Sequence, residues 1–374
     1  MDEKSKVAII AGQLVVGGAE RQLYLWLAHM NRDRFDPLVI TLHPNHDDFW
    51  EKPIEDLGIP LFRVTQKPGK LERLVEMIRI LRSFKPDIIH GWHFFSSAYA
   101  GLAARILGVP CIAGIRSQYD PGKKGLDTLL VKTNCDAVIA NSNAAATAYR
   151  KALGKNHQTV FTVPNAVLDT PTDRGDLRKE LSKTYNLPAD AIWIFSVGRM
   201  DPLKRFDILL EMAYRLEDSP VNYYFIIVGD GPEQAQLITL AKAMNIVQKV
   251  SFLGEIPNAN YWMSAMDIFC FPSMSEGLPN AVMEAAAAGL PIVAWNLPFC
   301  QELLPDDSQA LLLEPENLDA MAEALTQLLN SPQLRAHYGS SARAHILDNF
   351  GLHQYVHNMT HVYESVLMRY QKKK

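Results

Sequence analysis

Glu276 and Glu284 stand with seven residues between them in the run Glu276-Gly-Leu-Pro-Asn-Ala-Val-Met-Glu284. An apolar stretch, Asp267-Ile-Phe-Cys-Phe271, precedes them, and a small-residue helix running to Gly289 follows. Pro279 suits the first turn of that helix, where a missing N–H costs nothing. Glu276 then belongs to the loop before the helix and Glu284 to its second turn. The amides of Gly277, Leu278, Asn280 and Ala281 lie at the helix start, where unpaired N–H groups and the helix dipole make an anion site. Two carboxylates beside such a site repel a bare phosphate. They suit a ligand that carries both phosphate and hydroxyls, although acidic residues near a helix start also simply complement its dipole.

Arg199 and Lys204 supply the opposite charge. They are five residues apart on a Pro-containing loop after the apolar run Ile192–Val197, at the carboxy-terminal strand edge where α/β sheets bind ligands. An Arg fork and a Lys point charge can reach one diphosphate together. No Asp-x-Asp occurs in the sequence, so the usual carboxylate clamp for a divalent ion on a diphosphate is missing. No cofactor and no metal are expected. Alone, the two cations would equally read as solvated surface charges. Three further places share the strand-end location. Gly17 and Gly18 lie in the loop Gly12–Glu20 between a strand and a helix and permit close approach of a ligand, without the G-x-G-x-x-G spacing of a dinucleotide site. His90 and His93 close the stretch Asp87-Ile-Ile-His-Gly-Trp-His93 and can act as acceptor-side hydrogen bonders or bases, or equally as packed histidines. Arg116 follows the next strand.

These residues need strands and helices to hold them. Apolar runs without a period of two, as in strands buried on both faces, occur at 7–11, 38–42, 61–64, 87–90, 109–115 and 137–140. Helical spacing fills the gaps, notably at 19–29, 71–84 and 97–107. From Val163 to Asp190, four interruptions at Pro164, Pro171, Gly175 and Pro188 read as a linker. The alternation then restarts, with runs at 192–197, 223–228, 250–253, 268–271 and 292–294, and Gly229-Asp-Gly-Pro232 after the second. The tail from Leu318 reads as helices. Two doubly wound parallel-sheet α/β domains are expected, facing each other across a cleft.

Composition bounds the function classes. The chain has 374 residues, 48% hydrophobic and 21% charged, with a net charge of −4, which suits a soluble two-domain protein and argues against a nucleic-acid binder. Lys and Arg outnumber Asp and Glu by 24 to 20 over residues 1–180 and trail by 13 to 21 beyond. Cys111, Cys135, Cys270 and Cys300 have no metal spacing and read as buried free thiols in a reducing compartment. The amino terminus lacks the form of a signal peptide and no run is long enough to span a membrane, so a cytosolic protein is expected. The helix at 67–85 sets Lys67, Lys70, Arg73, Arg79, Arg82 and Lys85 beside an apolar face of Leu71, Leu74, Val75, Ile78 and Leu81. Such a helix packs on a sheet or rests peripherally on anionic lipid.

Assembled, the residues resemble the retaining glycosyltransferases of family four, which have the GT-B fold. The likeness runs over nearly the whole chain, through Gly17-Gly-Ala-Glu-Arg21, Gly198-Arg199 with Lys204, Gly229-Asp-Gly-Pro232 and the Glu276/Glu284 run. It implies an acceptor-side domain at 1–170 with a returning helix at 352–374, and a nucleotide-sugar donor domain at 171–351. Under it, Arg199 and Lys204 bind the diphosphate and stabilise the leaving group, Glu276 meets the donor sugar hydroxyls and Glu284 the ribose. The amides of Gly277, Leu278 and Asn280, with Gly17 and Gly18, hold sugar and phosphates. Gly198 and Gly229 line the donor loops, and Gly254 and Ile256 lie near the base. His93 counts with Arg199, Lys204 and Glu276 among the expected catalytic residues, and His90 and Arg116 fall on the acceptor side. The implied partners are a nucleotide-diphosphate sugar, UDP-linked by preference, and a glycan or lipid-linked acceptor. A nucleotide-sugar epimerase of the same shape and a non-catalytic nucleotide-sugar binding protein are the alternatives. The sequence departs from the family at His90-x-x-His93, at Asn165-Ala-Val-Leu168 and at Pro298-Phe-Cys-Gln-Glu302.

Overall fold

The computed structural model describes residues 4–43, 48–64, 69–116, 125–153, 158–169, 174–256 and 259–372; Lys67 and Pro171 of the sequence reading lie outside them. The chain forms two units, one of Met1–Ala166 with Leu352–Lys374 and one of Val167–Gly351.

The first unit runs β1 (Ser5–Ala11), α1 (Gly18–His29), β2 (Phe35–Thr41), α2 (Glu51–Asp56), β3 (Leu61–Arg63), α3 (Lys70–Phe84), β4 (Ile88–Gly91), α4 (Phe94–Leu107), β5 (Cys111–Ile115), α5 (Leu126–Asn134), β6 (Ala137–Ala140), α6 (Asn143–Leu153) and β7 (Thr159–Thr162). Its strands are parallel in the order β3-β2-β1-β4-β5-β6-β7. β4, β5 and β6 are buried along their whole length, which is why their sequences show unbroken apolar runs. Glycine appears where α4 lies against the sheet: a Cβ at Gly91 would sit 2.3 Å from the Ser97 Cα. Buried Cys111 and Cys135, 24 residues apart in sequence, bring their sulfurs to 3.4 Å, a pairing with no signal in their spacing.

The second unit runs α7 (Arg174–Tyr185), β8 (Ile192–Val197), α8 (Phe206–Arg215), β9 (Tyr223–Val228), α9 (Gln234–Ala243), β10 (Val250–Phe252), β11 (Ile268–Phe271), α10 (Asn280–Ala287), β12 (Ile292–Trp295), α11 (Pro298–Leu303), β13 (Leu311–Leu313), α12 (Leu318–Asn330) and α13 (Pro332–Phe350). Its parallel sheet has the order β10-β9-β8-β11-β12-β13. α14 (Leu352–Gln371) then returns to the first unit, where Tyr363 packs 5.4 Å from the Trp26 ring and 5.7 Å from Phe35.

Two expectations are corrected. The stretch read as a linker contains α7, which belongs to the second unit. Leu181 is its buried residue, and polar contacts hold it: Arg178 bonds the Ala265 carbonyl at 2.8 Å and Asp267 at 2.9 Å and stacks 3.9 Å over Trp193. Arg174 pairs with Asp267 as well, and half-buried Leu177 and Tyr185 flank Leu181 at helical spacing on the same core, so the apolar face is three positions among charged residues. Pro279 sits at the N-cap with ψ 105°, outside the helix, and Asn280 opens α10. The third helix divides along its length: Met77, Ile78 and Leu81 are buried, while Leu71 and Val75 are 72% and 50% exposed.

Candidate functional site

In the second unit the chain lays β8, β9 and β10 outward in one direction and then returns to place β11 on the other side of β8. That reversal opens a crevice at the carboxyl ends of β8 and β11, the place where doubly wound sheets bind ligands. The loops around it are tied backbone to backbone. Gly198 N–H donates to the Val228 carbonyl at 3.1 Å, Met200 N–H to Asp230 at 2.9 Å, and Gly229 N–H to Gly254 at 2.7 Å. Gly229 has φ +132°, and a Cβ there would lie 1.9 Å from the Gly198 oxygen. The approach therefore demands glycine on both steric and conformational grounds. Asp201 accepts from Leu203 N–H at 3.0 Å and starts a tight 3-10 turn, Pro202–Lys204, which aims the Lys204 side chain.

The loop after β11 closes on that turn. Met274 N–H donates to the Leu203 carbonyl at 2.8 Å, and Ser273 Oγ lies 3.0 Å from Glu276 Oε1. Lys204 Nζ pairs with the same Glu276 oxygen. Both side chains are largely enclosed, at 21% and 15% exposure, so this pair is less screened than a surface one. Burial and the Glu276 charge together push the neighbouring Cys300 thiol up, leaving it an un-ionised packing group. Arg199 is exposed on the same loop as Lys204. Glu284 is half-buried on the second turn of α10, behind buried Gly277 and Leu278. Gly198, Gly229 and Gly254 sit on the joined loops, with half-buried Ile256 just beyond. Nine expected residues thus fall on loops of one strand edge, and Asn280 opens the helix beside them. Pro298–Glu302 forms most of α11, with Phe299 and Cys300 in the core. Ser273 was not singled out by its spacing; its role as the Glu276 partner appears with the loop closure.

The first unit has its own reversal between β1 and β4. There the loop after β1 and the start of α1 meet the end of β4. Trp92 N–H donates to Ile10 at 2.8 Å and its indole Nε1 to Ala19 at 2.8 Å. His93, the N-cap of α4, sets Nε2 3.1 Å from Glu20 Oε1, and Nδ1 is enclosed without a hydrogen-bond partner among the described residues. Gly17 is the N-cap of α1 with φ −167°, an extended conformation open to any residue, and Gly18 is exposed at the first position. His90 lies deeper, fully buried, with Nδ1 2.7 Å from the Tyr363 hydroxyl. Burial first, then the charges of Arg116 and His93, hold it well below the usual histidine range. Arg116, after β5, stacks its guanidinium 3.9 Å over the Trp92 ring. Glu20 and Tyr363 are the partners that local reading missed. Glu20 is one letter in a glycine-rich motif, and Tyr363 lies 273 residues from the histidine it meets.

Known proteins share this architecture. Residues 16–169 match the family model described as Glycosyltransferase Family 4, and residues 178–345 match that described as Glycosyl transferases group 1. An uncharacterized glycosyltransferase of Haemophilus influenzae is 30% identical over 232 residues, 62% of this chain and 62% of that protein. The chain thus spans less than two thirds of that relative. The UDP-Gal:alpha-D-GlcNAc-diphosphoundecaprenol alpha-1,3-galactosyltransferase of Escherichia coli is 24% identical, with 96% of this chain and 97% of that one covered. The structure of HepE from Anabaena in complex with UDP and glucose superposes with a TM-score of 0.85 at 21% identity, over 96% of this chain and 100% of that one. With the two parallel sheets and both family models in place, the chain belongs to the GT-B glycosyltransferases of the family-four type.

Proposed function

We propose that this protein is a retaining, metal-independent hexosyltransferase of polysaccharide or glycoconjugate assembly. It moves a hexose or N-acetylhexosamine from a UDP-sugar to a glycan acceptor, which we take to be lipid-linked. The observation that carries the reading is the Lys204–Glu276–Ser273 cluster at the β8/β11 reversal, with Arg199 on the same loop. A diphosphate entering there offers Lys204 a stronger anion than Glu276. The carboxylate is then released toward sugar hydroxyls, while Glu284 meets the ribose. The bound UDP and glucose of the Anabaena protein and the name of the E. coli relative support donor and acceptor class.

Transfer breaks the bond between the sugar C1 and the diphosphate oxygen, and the electron pair leaves with the phosphate. Arg199 and Lys204 stabilise that charge where it develops. The acceptor hydroxyl forms the new C1–O bond on the same face and passes its proton to the departing phosphate oxygen. His93, oriented by Glu20, hydrogen-bonds the acceptor. Charge compensation by two cations is what replaces a divalent ion in this reading.

The test is to incubate the purified chain with a panel of UDP-hexoses and scan for slow donor hydrolysis, then for transfer to isoprenyl-diphosphate-linked sugars, with and without chelator. Conversion of the donor into its epimer without acceptor would instead establish the epimerase. Binding with neither transfer nor hydrolysis would leave a nucleotide-sugar binding protein, and loss of activity in chelator would refute metal independence. For the acceptor's carrier, exposed Leu71 and Val75 amid Lys70, Arg73 and Arg79 on α3 support peripheral contact with anionic lipid. Co-sedimentation with phosphatidylglycerol vesicles, lost in Leu71→Glu, is the check. Among the described residues no helix is long and apolar enough to cross a membrane.

A further inference from the structure

Arg116 is a cation without a described counter-charge. Its guanidinium lies flat on Trp92, and Nη1 reaches Asn165 Oδ1 at 3.5 Å, the outer limit of a hydrogen bond. Nε and Nη2 are shut from solvent and have no hydrogen-bond partner among the described residues. Those two nitrogens form one edge of the guanidinium. That edge presents two parallel N–H groups, the spacing that matches two oxygens of a phosphate or carboxylate.

The groups that bear on this charge come from three directions. They are His90 on β4 and His93 at the start of α4, and on α14 Tyr363 and Tyr355, whose hydroxyl is with Asn165 a hydrogen-bond partner of the guanidinium away from the Nε/Nη2 edge. None is a carboxylate. His90 is held neutral by burial, and its Nε2 is a second enclosed atom with no described partner. An arginine stays protonated even when buried, and a buried ion without its partner is a large cost to the fold. A purely structural tie among Trp92, Asn165 and Tyr355 would be served as well by a neutral side chain. The unused edge makes sense if its counter-ion arrives with a ligand.

We propose that Arg116 is an oxyanion-binding residue of the first unit, whose Nε/Nη2 edge, stacked on Trp92, takes a phosphate or carboxylate carried by the acceptor. This rests on the glycosyltransferase reading only for the word acceptor. The site itself stands on the geometry of Arg116. The acceptor class it selects is a sugar that is already anionic, as a phosphate ester or as an acid.

The experiment uses the full chain with inorganic phosphate and, separately, acetate as probes, at constant ionic strength made up with chloride. Because Arg199 and Lys204 are also proposed to bind phosphate, the background is the Arg199→Ala/Lys204→Ala double variant. In that background, phosphate is expected to raise the melting temperature by simple binding linkage. Adding Arg116→Gln is expected to weaken phosphate binding by about tenfold or more, as loss of a charge-assisted contact implies. Equal phosphate and acetate binding with and without Arg116 overturns the proposal. If Arg116→Gln does not fold, Arg116→Lys decides: it keeps the charge but has no two-donor edge, so binding as tight as with arginine overturns the proposal. Hexose 1-phosphate and farnesyl phosphate arms separate a soluble phosphorylated sugar from a lipid carrier. UDP binding is measured in parallel on Arg116→Gln alone, which should retain it. Failure of the unsubstituted chain to bind UDP would sink the transferase reading and leave the oxyanion result standing.

Discussion

Lys204 and Glu276 lie 72 residues apart, yet share one contact, and their substitutions should differ in kind from those of Arg199. Removing a donor that meets charge developing in the transition state typically costs about 3 kcal/mol, on the order of a hundredfold in rate. Arg199→Ala is therefore expected to lower kcat about a hundredfold at an unchanged melting temperature, because the side chain is exposed. Lys204→Ala should lower kcat similarly and also destabilise, since Glu276 is left enclosed without its cation. Combining it with Glu276→Gln should restore the melting temperature but not the rate. Near-normal turnover in either single variant would remove both residues from the chemistry. His90 makes a second residue-scale prediction. Burial depresses its native pKa, so below the unfolded value of 6.5 the unfolded chain takes up a proton that the native chain refuses. Stability is full above that value. It falls as pH drops toward the native pKa, with a slope of up to about 1.4 kcal/mol per pH unit. Melting curves from pH 7.5 to 5 should show that slope, and His90→Asn should flatten it.

At the scale of elements, the donor-side loops are held by backbone contact that side chains cannot reproduce. Gly229→Ala adds a methyl group 1.9 Å from the Gly198 oxygen at φ +132°, so one of the two loops must move. We expect a loss of about 2–3 kcal/mol and loss of UDP binding, read by chemical denaturation and calorimetry. Gly254→Ala is the control. Its φ is +71° with nothing within 4 Å of an added Cβ, so it should cost about 1 kcal/mol of left-handed strain and leave more of the binding. Equal effects of the two would show that strain, not loop contact, matters here. The existence of these elements was legible in the sequence, because strands buried on both faces are continuous apolar runs. Their joining was not. Met274 N–H on Leu203, like Gly229 N–H on Gly254, links segments whose distance in the chain says nothing of their contact.

For the whole molecule, the last helix is the part that makes the first unit discontinuous. Tyr355, Met359, Val362, Tyr363 and Val366 are buried on α14, and Tyr355 donates to the Gln22 carbonyl at 3.1 Å from 333 residues away. A chain ending at Gly351 should therefore lose the first unit's protection against limited proteolysis while Val167–Gly351 resists digestion. Tyr363→Ala, which opens a hole between Trp26, Phe35 and His90, is expected to destabilise by about 3–5 kcal/mol, as for other large buried aromatics. Unchanged proteolysis of the first unit in the shortened chain would show that its sheet stands without α14.

The sequence alone determined the class of fold and the kinds of residue at its strand ends. Both follow from local facts: apolar runs mark doubly buried strands, and glycine, proline and charge mark the loops between them. It also marked the Glu276/Glu284 run and the two cations of the β8 loop as a set. Tertiary structure decided which partners those residues hold. Lys204 meets Glu276, which also accepts from Ser273, because β11 lies beside β8 and not after β10. His93 meets Glu20 because β4 lies beside β1. The supposed linker is α7 because Arg174 and Arg178 both tie it to Asp267, while Leu177, Leu181 and Tyr185 pack a thin face of three positions on the core, a short period among charged residues. Strand order and long-range hydrogen bonds are properties of the folded chain, and a periodicity within ten residues carries no information about either.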